Sequence, residues 1–316
     1  VFKGMKRHKR LIYNGLIFAI SSLAIYGLFI CTLSRCRLNE TPIVYRFVNG
    51  LVWKGGHTLP RFRDFNPENN YDVLVFGSST ANRSVDPSVF ATCGINVYNL
   101  GTDDQTPLNT EVLVNHYIAA AKPRLVILDI YDRVFCQSPY ESAADFIQNG
   151  NSHSAALKMA LQLGDIRAVN MLAVRMATYD LPSIQGANDS LNNGFRAVKH
   201  RISKFTPDNY RYKSDKIQLA AFERTIRHLN DRKIPVVLTI QPKPVYYMEE
   251  NHEKFMRDIQ PIIEKYNLHV VELSMKDAGL AMDDYADMSH LNKQGAKKYS
   301  EALLENIFES RMIARN

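Results

Sequence analysis

The chain has 316 residues, 46% of them hydrophobic, enough for one large domain or two small ones. Its net charge of +7 does not point to nucleic acid. Lys3, Lys6, Arg7, Lys9, Arg10, Arg35 and Arg37 lie within residues 1–37, which hold no Asp or Glu, and the other 32 of the 39 basic residues balance 32 acidic ones.

Leu11 to Leu33 runs 23 positions without a charge, with Asn14 its most polar member. That is long enough to cross a bilayer as a helix. No small-residue cleavage site follows Leu33, so an uncleaved anchor is expected rather than a signal peptide. Met5 is a candidate start. The excess of Lys and Arg before the segment keeps residues 1–10 in the cytoplasm and exports the domain beyond it. The lipid bilayer is thus an expected partner and nucleic acid is not. Cys31, Cys36, Cys93 and Cys136 are too sparse for a disulfide scaffold or a zinc cluster. Cys93 precedes one expected strand and Cys136 follows the next. Parallel strands put them at opposite ends of a sheet, so no disulfide is expected.

Residues 34–70 read as a mixed connector with loop signals at Gly55-Gly56, Pro60 and Asn66-Pro67. Val44, Phe47, Val48, Leu51 and Val52 suit one short helical face. The domain proper is expected from Tyr71 to the end. Its first strand, 72–76, is a continuous apolar run of the kind buried on both faces. It stops at Gly77-Ser78-Ser79, where small hydroxyl residues open a helix. Asp86-Pro87-Ser88 opens a short helix through Phe90. Ile95 to Leu100 is a second strand ended by Gly101. Thr106 to Ala121 is a helix with Leu108, Val112, Leu113 and Ile118 inward, and Leu125 to Ile130 is a third strand.

The alternation then pauses over about 133–212, an insertion with two amphipathic helices, 155–163 and 166–176, and a turn-rich stretch from Tyr179 to Asn193. A helix bearing Leu219, Phe222, Ile226 and Leu229 follows. Ile234 to Ile240 is a fourth strand, a helix spans roughly 249–266, and His269 to Leu273 is a fifth strand. The last helix starts near Asn292. The pattern gives an α/β fold, a doubly wound five-stranded parallel sheet with helices on both faces and a helical insertion.

A serine at the carboxyl end of a central strand, over a helix start, stands where such folds place chemistry. Asp287-Met288-Ser289-His290 lies just before the last helix. A carboxylate three residues before a His can hold one ring nitrogen while the other takes a proton from a hydroxyl. Alone this spacing is a weak signal. Asn82 and Arg83 follow Ser79 by three and four residues and share its face if the segment is helical. They suit an acceptor site, while a surface salt bridge suits Arg83 equally. Asp103 and Asp104 are expected to cap the next helix, and Asp129 to be a buried structural partner. Tyr131, Gln241 and Lys243 end strands three and four on the active edge. Seven scattered histidines, His57 to His269, show no ligand spacing. No metal and no cofactor are expected.

Strand–Gly77-Ser78-Ser79, Asn99-Leu100-Gly101 and Asp287-x-x-His290 together resemble the SGNH/GDSL hydrolase superfamily over about 71–312. The resemblance implies a three-layer, flavodoxin-like fold of strand order 2-1-3-4-5. It implies a catalytic triad of Ser79, His290 and Asp287, with the N–H groups of Ser79 and Gly101 as the oxyanion hole. The family's third block, Gly-x-Asn-Asp, is absent. The chain reads Tyr131-Asp132-Arg133 there, and Arg133 is a candidate replacement donor. Gly-Ser-Ser, the missing block and the N-terminal anchor resemble the membrane-anchored branch that includes the D-alanyl transfer protein and the alginate O-acetylation proteins. That resemblance implies acyl transfer or ester cleavage on a cell-surface glycan or other polymer, beside a membrane-bound O-acyltransferase. The competing reading is a non-catalytic envelope binding or scaffold protein with a degenerate fold. A phosphate cradle at Gly77-Ser-Ser ranks last, since the Walker and Gly-x-Gly-x-x-Gly spacings are lacking.

Overall fold

The computed structural model describes residues 2–46, 53–184, 191–201, 210–244, 249–310 and 312–313, with the backbone alone for 2–7. The helical face proposed for Val44, Phe47, Val48, Leu51 and Val52 falls largely on 47–52, outside the described residues.

The apolar run is the core of one long helix, α1 (Phe2–Arg35). It is the one helix among the described residues long and apolar enough to cross a membrane. Its last turns meet the domain, where Ile30 and Ser34 are buried. The segment read as a connector supplies core residues. Val44 and Tyr45 are buried, as is Phe62 on a short helix, α2 (Thr58–Arg63). Phe62 stacks on Tyr117 with ring centroids 5.5 Å apart.

The sheet is built of β1 (Val73–Phe76), β2 (Val97–Asn99), β3 (Leu125–Asp129), β4 (Val236–Ile240) and β5 (His269–Glu272). All neighbours are parallel, in spatial order β2-β1-β3-β4-β5. This is the order that the resemblance implies. The continuous apolar runs are explained by burial on both faces. Leu74, Phe76, Val126, Leu128, Leu238 and Ile240 face one core, and Val73, Val75, Leu125, Ile127, Val237 and Val271 the other.

The second core lies under α3 (Ser79–Ser84), α4 (Pro87–Ala91) and, at the end of the chain, α11 (Lys293–Glu309). The first is covered by α5 (Pro107–Ala121), α9 (Lys216–Asp231) and α10 (Glu249–Tyr266), together with the insertion. The described residues of the insertion form three helices, not two: α6 (Tyr140–Asn149), α7 (His153–Leu163) and α8 (Ile166–Thr178). Helix α6 escapes a reading by turn signals because nothing but Pro139 marks its start. Its Ala143, Ala144, Phe146 and Ile147 are nonetheless buried.

The turn-rich end of the insertion is a strap. Asn192 and Phe195 form a β-bridge. The Asn99 N–H donates to the Asn193 carbonyl at 2.8 Å, and Asn193 Nδ2 donates to the Val97 carbonyl at 3.2 Å. These bonds cover the free edge of β2, which would otherwise offer unpaired backbone groups. Gly194 makes the approach possible. Its φ is +82°, and a Cβ there would stand 1.9 Å from the Asn99 carbonyl oxygen. The buried Arg61 donates through Nε to the Gly194 carbonyl at 2.9 Å. Further on, the Arg196 N–H donates to the Asn82 carbonyl at 2.8 Å and the Lys293 N–H to the Val198 carbonyl at 2.7 Å. The strap thus ties the β2 edge to α3 and to the start of α11.

Gly194→Ala is therefore expected to destabilise the fold by about 1–3 kcal/mol through overpacking at a left-handed position. Thermal unfolding of the full chain in detergent measures it, and an unchanged midpoint would show that the strap does not hold this close approach.

Candidate active site

The turn after β1 is crowded. Gly77 has φ +150°, and a Cβ there would meet the Asp129 carbonyl oxygen at 2.7 Å and Ala81 Cβ at 2.8 Å. Only glycine lets β1 hand over to α3 against β3. Ser78 is the N-cap of α3, its hydroxyl accepting from the Thr80 N–H at 3.4 Å. It is 1% exposed and turned inward, with Thr80 Oγ1 3.2 Å away. Ser79 is the first residue of α3 and faces the other way.

Across the edge stands the turn that contains Asp287 and His290. A bridge between Tyr285 and Leu291 closes it. Asn292 then caps α11, its Oδ1 accepting from the N–H groups of Gln294 at 3.0 Å and Gly295 at 3.1 Å. Such a cap stabilises a helix start by about 1 kcal/mol. Gln241, 3% exposed at the end of β4, donates through Nε2 to the Ser289 carbonyl at 2.9 Å and so holds the turn from behind.

The structure brings Ser79, His290 and Asp287 into one line. Ser79 Oγ lies 2.7 Å from His290 Nε2, and His290 Nδ1 lies 2.8 Å from both carboxylate oxygens of Asp287. Asp287 Oδ1 also accepts the N–H groups of Ser289 at 2.8 Å and His290 at 3.0 Å. Burial pushes the Asp287 carboxyl up. The hydrogen bond and charge of His290, the Ser289 N–H and the Arg83 guanidinium outweigh it and hold the carboxyl at about 2. At neutral pH the group is a pure acceptor, so Nδ1 carries the ring proton and the Nε2 lone pair faces the Ser79 hydroxyl. This arrangement can move a proton from Ser79 to His290.

The other expected site residues are placed differently. Asn82, 1% exposed, donates to Asp103 Oδ1 at 3.0 Å. Arg83 Nη2 lies 3.5 Å from the same oxygen, and Arg196 Nη1 lies 3.6 Å from Asp103 Oδ2. Asn82 and Arg83 thus hold the loop after β2 and the strap together, rather than standing open to an acceptor. Burial would raise the Asp103 carboxyl, but Arg83, Asn82, Arg61 and Arg196 bring it down. Asp103 is therefore no helix cap, and neither is Asp104. The first turn of α5 is closed by Thr106, whose N–H and hydroxyl donate to Asn109 Oδ1 at 3.1 and 2.8 Å.

Arg133 is exposed, with its guanidinium 5.8 Å from the centroid of the Tyr210 ring on the insertion side. Lys243 Nζ lies 4.2 Å from the centroid of the Tyr131 ring and 3.6 Å from Asp132 Oδ1. The Gly101 N–H donates to Asn99 Oδ1 at 3.1 Å. Asn99, fully buried, also donates through Nδ2 to the Ala81 carbonyl at 2.9 Å and the Val85 carbonyl at 3.0 Å. An oxyanion would have to compete with Asn99 for the Gly101 hydrogen. The Ser79 N–H stands at the open end of α3, where helix N–H groups have no partner of their own.

One buried group was legible only by type. Asp129, at the end of β3, accepts from the hydroxyls of Thr80 and Thr239, the latter at 3.2 Å. It braces the first turn of α3 from below. Burial raises its carboxyl to about 7, against the opposing pull of those hydrogen bonds and Lys243.

No protein-family model matches this sequence, and no curated protein does either. Solved structures do. The chain is 12% identical to a GDSL-like lipase from Bacteroides thetaiotaomicron, over 84% of this chain and 96% of that one, with a TM-score of 0.40. It is 11% identical to the lipase/acylhydrolase from Enterococcus faecalis, over 76% and 96%, with a TM-score of 0.39. An active-site mutant of a family two carbohydrate esterase from Clostridium thermocellum is 8% identical, over 76% and 63%, with a TM-score of 0.41. At these scores the chemistry rests on the side chains themselves.

Asp129 gives a pH signature. Its folded carboxyl keeps its proton up to about 7, while the unfolded one releases it near 3.8. Its contribution to stability is full below the lower value and is lost as pH rises through the upper one. Wild type should lose unfolding midpoint across this window relative to Asp129→Asn, measured by thermal melts at several pH values. Parallel profiles for the two proteins would refute a buried, protonated Asp129.

Proposed function

We propose that this chain is a membrane-anchored serine acyl-transfer enzyme of the SGNH type, an esterase or O-acyltransferase working outside the cytoplasm on a cell-surface glycan. The observation that carries the reading is the continuous line from Ser79 Oγ through His290 to the ionised Asp287. A serine hydroxyl is a weak nucleophile unless a base adjoins it, and here the base is oriented by a third group.

Ser79 Oγ attacks the acyl carbonyl while its proton passes to His290 Nε2. Asp287 stabilises the imidazolium. The tetrahedral oxyanion lies toward the N–H of Ser79, with Gly101 beside it. As the intermediate collapses, His290 returns the proton to the leaving oxygen and an acyl-Ser79 ester remains. A second hydroxyl, from a sugar or from water, then gives its proton to His290 and attacks the ester, and as this second intermediate collapses His290 returns the proton to Ser79 Oγ, which leaves as the free serine. Transferase and esterase differ only in which acceptor reaches the ester.

The anchor reading is supported by the packing of α1. A helix whose last turns bury Ile30 and Ser34 against the domain and pair Arg35 with Asp180 at 2.9 Å is part of the folded protein. The glycan, and a membrane-bound O-acyltransferase as partner, rest on the resemblance of the motifs and on the anchor. The engaged Gly101 N–H is the observation that favours the scaffold reading.

Ser79→Ala is expected to abolish cleavage of a generic acetyl ester by the purified full chain, and His290→Ala to be nearly as severe, because members of a triad act as a unit. Asp287→Asn should cost on the order of 10²–10⁴ in rate through the wrong tautomer. Ser78→Ala should cost far less. Full activity in both Ser79→Ala and His290→Ala would replace the enzyme with the scaffold.

A further inference from the structure

The α7–α8 hairpin carries an apolar face that the described residues of the domain do not cover. Ile166, Val169 and Met176 on α8 are 78%, 47% and 65% exposed, and Leu157 and Leu161 on α7 are 49% and 68% exposed. Spacings of three and seven put the α8 residues on one side of the helix, and a spacing of four does the same for the pair on α7. The domain core is on the other side, where Ala168, Met171, Val174, Ala155, Ala156 and Met159 are buried.

The same hairpin is fastened to α1. The Tyr26 hydroxyl donates to Asn170 Oδ1, and Arg35 pairs with Asp180. Nine residues on α1 thus run in the same direction as the stretch from Asn170 to Asp180, which covers the rest of α8 and the two residues beyond its end at Thr178. At 1.5 Å per residue the two helices keep step, and Ile166 falls about one turn below the level of Tyr26. A bilayer core of about 30 Å takes about 20 helical residues. If it begins at Leu11, just after Arg10, it ends near Ile30. The first turn of α8 then lies about 10 Å inside that boundary, the depth at which interfacial helices bury their apolar face.

We infer that the α7–α8 hairpin is seated in the domain-side leaflet of the bilayer, with Leu161, Ile166 and Val169 among the acyl chains. The inference rests on α1 being a membrane span. The charges at the tip are arranged for it. Arg167 Nη2 pairs with Asp165 Oδ2 at 2.6 Å, and its guanidinium lies 4.1 Å from the centroid of the Tyr140 ring, so both charges are matched within the protein. Gly164, φ +62°, makes the turn, and a Cβ there would meet nothing within 4 Å, so the tip projects clear of the domain. Lys158, nearly two turns up α7 from the tip, has a stem long enough to keep its ammonium in the headgroups. Because the hairpin packs against α5 and α6, its insertion fixes the distance and tilt of the Ser79 edge over the membrane instead of leaving the domain on a tether.

Depth-resolved fluorescence tests this. Trp53 is the chain's one tryptophan, so Trp53→Phe gives a silent background for single probes at Ile166→Trp, Leu16→Trp and Ile217→Trp. The full chain is reconstituted in phosphatidylcholine–phosphatidylglycerol vesicles containing lipids brominated on the acyl chain. The probes at positions 16 and 166 should lose most of their emission, and the probe at 217, on α9, should lose none. Quenching at 16 without quenching at 166, with iodide quenching at 166 instead, would leave the anchor standing and overturn the seated hairpin, handing that face to a protein partner. Failure at 16 would overturn the span and the hairpin together.

Discussion

Everything at the active edge depends on how closely β1, β3 and the loop after β2 approach at the start of α3. Gly77 passes the Asp129 backbone with no room for a methyl group, and a Cβ on Gly101 would stand 2.9 Å from Ala81 Cβ. Ala81 is the small residue that lets both glycines close on α3. These contacts crowd the first turn of α3 from both sides and set Ser79 at the sheet edge. Close packing of this kind transmits strain, so a change beneath the turn reaches Ser79. Preorganisation of the serine is thus a property of backbone crowding as much as of the hydrogen bond to His290.

The elements that carry Ser79 and the Asp287–His290 pair were legible because each is local. A continuous apolar run, a glycine and a hydroxyl N-cap specify the first, and an Asx-type turn before an amphipathic helix specifies the second. Alone the second is a weak signal, and their meeting is an expectation that the motif resemblance supplies together with the strand order. Arg83 takes the salt bridge that the sequence allows it equally, and the other misplacements have one physical cause. Asn82 and Arg83 do share a helical face, but helical spacing says nothing of what arrives opposite that face, and Asp103 arrives from a loop. Asp103 in turn looked like a cap because caps are read by proximity to a helix start, whereas its charge answers arginines at positions 83 and 196. The strap at 192–198 has no periodicity at all. Its role hangs on Gly194 meeting Asn99, a contact that no window of sequence contains.

The same strap joins the parts of the site that the sheet alone does not. It seals the β2 edge, passes Asn82 and Asp103, and ends on the backbone of Lys293, just beyond the His290 turn. The insertion, the helix that bears Ser79 and the turn that bears His290 are therefore one connected layer. On the other side of the insertion, α8 grips α1. A chain of packed elements runs from the apolar helix to the serine, so the two are held at a fixed spacing, as the proposed acceptor at a surface requires.

The central claim is that Ser79 forms the covalent acyl-enzyme. Peptide mass spectrometry of the intact full-length protein after reaction with a fluorophosphonate tests it most directly. A single phosphonyl group on Ser79, with Ser78 unmodified, is the expected result. No adduct, or an adduct on Ser78, would contradict it.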